Sequence, residues 1–126
     1  MTPADRVSLT LPALGEFART ARLTAAELAT RVGMDIDDVD DVKLAVEEAF
    51  IFAAQRAEGR DVKLEFELDG SSIALVVGPF PGPCTSEDGS DSGRRYAHFI
   101  LESVCDEFEV VEENGQCFLR LTKRAG

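Results

Sequence analysis

The sequence predicts a two-layer α/β sandwich: a mainly antiparallel sheet with helices on one face. Three observations predict it. Short segments alternate apolar and polar residues with period two, at Val7, Leu9 and Leu11 and again at Val62, Leu64, Phe66 and Leu68. Between them lie two long stretches whose apolar residues recur every three or four positions. The resulting order is strand, helix, helix, hairpin, long loop, helix, hairpin, which gives a sheet built from hairpins and helices that each need one covered face.

The first strand, Asp5 to Leu11, ends at Pro12. Leu14, Phe17, Ala18, Ala21, Ala25, Leu28 and Val32 then mark a helix over 14–32, with Gly33 as its stop. Asp35, Asp37, Asp38, Asp40 and Asp41 gather at or before the next helix start, where acids complement the macrodipole. That helix shows an apolar stripe of Val39, Val42, Val46, Ala49, Phe50 and Ala53 and closes at Gly59. Arg60 to Leu68 and Ser72 to Val77 form a hairpin around Asp69-Gly70. Gly78 to Gly93 is dense in Gly, Pro, Ser and Asp and reads as one long irregular loop. A third helix over 94–104 leads to strands over 107–111 and 116–121, joined at Glu113-Asn114-Gly115. There is no internal repeat, so residues 1–126 are expected to form a single domain.

Apolar residues make up 44% of the 126 residues and charged residues 29%, a globular composition. With 13 Lys and Arg against 24 Asp and Glu, the net charge is −11. That balance weighs against nucleic acid and anionic membrane as partners, because both are held by cations placed on phosphates. A basic protein partner fits better, and from Arg31 to Glu48 seven acids face two bases. No apolar run is long enough for a membrane helix, and the N-terminus lacks a signal-peptide pattern. Cys84, Cys105 and Cys117 are odd in number and widely spaced, which argues against a disulfide framework and a zinc site. A reducing cytoplasm is the expected compartment, and no metal site is expected.

The single histidine, His98, lacks the sequence context of a nucleophilic triad and reads as a partly buried helix-face residue beside Phe99. There is no Walker loop and no dinucleotide fingerprint. Glu47 and Glu48 lie mid-helix about 100° apart, so at least one carboxylate sits at the margin of the core. A carboxylate held there can act as a general base, although a boundary glutamate with a solvated head gives the same spacing.

DDVKLAVEEAFIFAAQRA, preceded by Ala21-Arg22-Leu23-Thr24-Ala25, resembles the first ATP-site helix of the histidine-kinase-like ATPase superfamily and its small bacterial anti-sigma-factor serine kinases. CDEFEVVEENGQCFLRLTKR resembles that family's closing hairpin. The resemblance implies the Bergerat-type α/β sandwich. It places Glu48 on the glutamate that activates a substrate serine. It puts Phe52 where the family has its magnesium-binding asparagine, and Gly78 where an aspartate receives the adenine amino group, in a box running to Gly82. The close-approach glycines at the start of the third helix become Arg95-Tyr96-Ala97 after Arg94, and Arg94 and Arg95 could instead take phosphate charge. The implied function is an anti-sigma factor that sequesters an RNA polymerase sigma factor and is countered by a STAS-type anti-anti-sigma partner. The degenerate pocket is expected to bind ATP and magnesium weakly or not at all, and the alternative is an active ATP-dependent protein-serine kinase. Glu16, Arg19, Thr20 and Arg22 on the first helix are the implied partner-binding residues, in a family that often works as a homodimer.

Overall fold

The computed structural model describes residues 4–84 and 92–126, the side chains of 92–95 excepted. Strands β1 (Asp5–Leu11), β2 (Val62–Asp69), β3 (Ser72–Pro81), β4 (Glu107–Glu113) and β5 (Gln116–Arg124) form one sheet in the order β1-β2-β3-β5-β4. Every neighbouring pair is antiparallel. Helices α1 (Ala18–Arg31), α2 (Ile36–Arg56) and α3 (Ser92–Val104) complete the fold, with α2 packed against both other helices and against β3. The α/β sandwich read from the sequence is therefore the architecture found.

The register explains the core. Val7 stands opposite Phe66, Phe66 opposite Leu75, and Leu75 opposite Leu121, so one sheet face is a continuous apolar row. On α2, Val42, Val46, Ala49, Phe50 and Ala53 are all buried, and Phe50 is among the largest side chains fully removed from solvent. The other sheet face carries charged pairs, Lys63 with Glu65 at 2.7 Å and Arg120 with Glu109 at 3.6 Å.

Local signals set the helix ends. Asp35 caps α2, its Oδ1 accepting from the Asp38 N–H at 2.8 Å. At the end of α1, Gly33 takes φ +78°, its N–H donating to Thr30 O and that of Met34 to Ala29 O, a Schellman closure. The first helix starts later than its periodicity implied. Leu14 is extended, a single 3-10 turn spans Gly15–Phe17, and only then does α1 begin.

Three other expectations are corrected. Gly78 to Pro81 belongs to β3 and not to the loop: the register shifts between Val77 and Phe80, so Pro79, which has no N–H to give, sits in an irregularity and Phe80 rejoins β5 opposite Cys117. The cysteines are not all free, because Cys84 and Cys117 form a disulfide with Cα atoms 5.2 Å apart. That pairing depends on β3 returning alongside β5, which no sequence spacing announces; Cys105 remains a thiol. His98 is not partly buried: its side chain is 60% exposed, pairs with Glu102 at 3.3 Å, and sets its ring edge-on to Phe108 at 4.9 Å. The expected loop beyond Cys84, to residue 91, lies outside the described residues.

Candidate functional site

The last turns of α2 face the far end of β3. Phe52 is 4% exposed, and its ring meets that of Phe80 edge-on, with centroids 5.5 Å apart and planes at 81°. One turn on, the Arg56 guanidinium lies 3.7 Å from the Phe52 ring centroid while its Nη1 donates to the Phe52 carbonyl at 3.1 Å. Two apolar rings and a cation thus meet where α2 faces β3.

Gly78 lies two residues before Phe80 on β3. Its φ is +157°, and a Cβ there would lie 2.8 Å from Phe118 Cδ1 and 2.9 Å from the Cys117 carbonyl. The backbone of β5 and the Phe118 ring leave no room for a side chain. Gly82 follows against the disulfide, where a Cβ would come 3.6 Å from Cys117 Sγ.

Glu48 and Glu47 lie one turn earlier on α2, both half-buried. Burial raises the Glu48 pKa above the ordinary carboxylate range, and the neighbouring charge of Glu47 adds to the rise. Glu47 is itself bridged to Arg22 of α1 at 3.6 Å. Arg22 Nε is buried with no hydrogen-bond partner among the described residues. The structure therefore brings Arg22 beside the α2 glutamates, while Phe52 meets Phe80 one turn further on. Side chains at Arg94 and Arg95 lie outside the described residues.

A magnesium ion does not fit these side chains. A hard dication takes oxygen ligands, whereas Phe52 offers a ring and Arg56 sets a positive charge over it. Among the described residues no group of three His, Cys, Asp or Glu could hold a metal.

The family model of the histidine kinase-like ATPase domain matches residues 11–123. The chain belongs to the histidine kinase-like ATPase family. It is similar to a protein named serine-protein kinase RsbW from Halalkalibacterium halodurans, 28% identical and covering 94% of this chain and 83% of that protein. The RsbW of Bacillus subtilis strain 168 is 26% identical, covering 89% and 81%. Among solved structures, the RsbU and RsbW domains of Rv1364c from Mycobacterium tuberculosis share its fold, with a TM-score of 0.71 at 21% identity over 95% of this chain. This chain spans 32% of that longer one.

On this histidine kinase-like ATPase, the α1 residues named from the sequence divide. Glu16 lies in the 3-10 turn before α1, and Glu16, Arg19 and Thr20 are exposed. Arg22 turns off that face onto Glu47. Leu23, not among the partner-binding residues implied by the resemblance, is 54% exposed and continues the face of Arg19 and Thr20. The signal for it was an apolar residue standing outside the three-four stripe. The acidic run is also partly used inside the molecule. Asp38 is buried, its Oδ2 accepting from Gly126 N–H at 3.0 Å, and Lys123 Nζ lies 3.9 Å from Asp38 and 3.4 Å from Asp41. Among the described residues no helix is long and apolar enough to cross a membrane.

Proposed function

We propose that this chain is an anti-sigma regulatory factor of the cytoplasm. It sequesters a sigma factor of RNA polymerase, is released by an anti-anti-sigma partner, and binds ATP weakly or not at all. The observation that carries the nucleotide part is the apolar contact between α2 and β3. Phe52 is packed on Phe80 under the Arg56 guanidinium, and Gly78 is held where no carboxylate fits. The similarity to RsbW proteins supports the sigma-factor part, and the exposed face of Glu16, Arg19, Thr20 and Leu23, flanked by Arg22, is the surface it would use. The net charge of −11 favours a basic partner, mainly through association rate and selectivity.

Calorimetric titration of Mg·ATP into the purified protein tests the nucleotide part. No saturable heat is expected, and binding in the micromolar range would refute it. Capture of a purified sigma factor tests the rest. Leu23→Lys, which puts a positive charge and no apolar contact in the middle of that face, is expected to weaken that capture at least tenfold, and unchanged capture would remove α1 from the interface.

A second reading, an active protein-serine kinase, is favoured by one observation: Glu48 is a carboxylate whose burial makes it a better base than an exposed one. It predicts that a purified anti-anti-sigma protein gains a phosphoryl group on serine when mixed with this chain and Mg·ATP, seen by intact mass. An unmodified antagonist leaves sequestration as the activity.

A further inference from the structure

We propose that Cys84 and Cys117 form a reversible thiol–disulfide exchange site. Its oxidation state sets how firmly the segment Gly82–Cys84, and the Phe80 ring before it, is held beside the end of α2. The inference rests on the cytoplasmic part of the reading above, because a disulfide in a reducing compartment is more often a transient regulatory bond than a permanent staple.

The position of the bond supports it. Cys117 is fully buried in β5, opposite Phe80. Phe80 in turn packs on Phe52. Cys84 lies three residues past the end of β3, so the bond ties the segment that leaves Phe80 down onto the neighbouring strand. When it opens, Phe80 keeps its ladder partner but loses the covalent tie four residues downstream.

The sulfurs are covered, Cys84 being 7% exposed and Cys117 fully buried, but the segment that covers them is itself at the surface. Pro81, Gly82 and Pro83 are exposed, and Gly82 has no side chain to cover the sulfurs that a Cβ would approach to 3.6 and 3.8 Å. A small displacement of this exposed segment brings Cys84 Sγ to an incoming thiolate. Cys105 does not compete as an internal exchange partner: it lies at the junction of α3 and β4, and burial pushes its thiol up to about 12, so it stays protonated and unreactive. The reductant is therefore an external thiol pair, either one dithiol or two molecules of a monothiol such as glutathione. Its two sulfurs lose two electrons and two protons and form their own disulfide. The Cys84–Cys117 bond breaks, and each cysteine sulfur gains one electron and one proton. A low-molecular-weight disulfide runs the exchange in reverse.

The test equilibrates the native full chain in glutathione buffers of graded composition and then counts alkylated thiols by intact mass. Hydrogen exchange over residues 78–84 is followed in parallel. The pair is expected to titrate reversibly between closed and open, and opening is expected to speed exchange at the Phe80, Gly82 and Cys84 amides roughly tenfold. The double variant Cys84→Ser, Cys117→Ser should show the fast exchange in every buffer. Three results would each overturn the proposal: a pair that never closes, a pair that stays closed in the native protein under excess dithiothreitol, or exchange rates that ignore the redox state. None of these readouts uses a sigma factor or a nucleotide, and cell fractionation checks the compartment by itself.

Discussion

Gly78 is held by its neighbours on β5. The Phe118 ring and the Cys117 carbonyl stand where its Cβ would go, so Gly78→Asp, which supplies the carboxylate that the family resemblance implies at this position, forces β3 away from β5. We expect it to cost more than about 2 kcal/mol without creating nucleotide affinity. Chemical denaturation and an ATP titration check both halves, and a variant of undiminished stability that binds ATP would contradict them. Glu48 gives the opposite case, a side chain the fold tolerates at some cost. Its pKa is raised in the folded state, so the unfolded chain releases this proton first as pH climbs. The stability associated with its protonated form is complete below the ordinary carboxylate pKa and disappears as pH rises through the higher folded value. Glu48→Gln removes the charge that burial opposes. Its melting temperature is expected to exceed the parent's at pH 7 and to converge on it near pH 4, and a constant offset across that range would show that the charge is not the cause. The identity of Phe52 was plain from the sequence; its packing under Arg56 and against Phe80 was not, because that depends on where β3 runs.

At the scale of elements, patterns local to one segment were legible and those that depend on tertiary register were not. The stripe on α2 and the hairpin β2–β3 rest on periodicity and turn chemistry within a few residues, and both are found. The Gly-Pro steps after Val77 looked like the start of a loop because breakers mark turns in isolation. In the sheet, pairing with β5 keeps the strand going through them. The acids at the start of α2 show the same limit. Asp35 was recognisable as a cap, but nothing near Asp38 announces that the far end of the chain comes back to it. Lys123 and the last backbone N–H of the chain close on Asp38, whose side chain is 11% exposed against 15% for that of Lys123. Asp38→Ala therefore takes away an acceptor and leaves a largely buried ammonium sharing only Asp41. A loss of about 1–3 kcal/mol is expected, with faster hydrogen exchange concentrated at the C-terminal end of β5. Unchanged protection there would mean that β5 needs no such clasp.

For the whole molecule, the excess of eleven negative charges is larger than its ion pairs can neutralise. Several of those pairs lie at the surface, among them Arg31 with Glu27, Arg124 with Glu107 and Arg120 with Glu109. Exposed pairs of this kind contribute roughly 0–1 kcal/mol each. The repulsion among unmatched acids is spread over the whole surface and grows when the chain is compact. Salt screens both effects, and the net sign depends on which is larger. With acids outnumbering bases 24 to 13, repulsion should dominate, so the melting temperature is expected to rise when sodium chloride is increased from about 0.02 to about 0.5 M. Capture of a basic partner should respond in the opposite direction, losing association rate over the same range. A melting temperature that falls with salt would show that the surface pairs, and not the net charge, govern the electrostatics of the fold. An association rate indifferent to salt would place the partner's contact on the apolar and neutral part of the α1 face, around Leu23 and Thr20, and not on its acids.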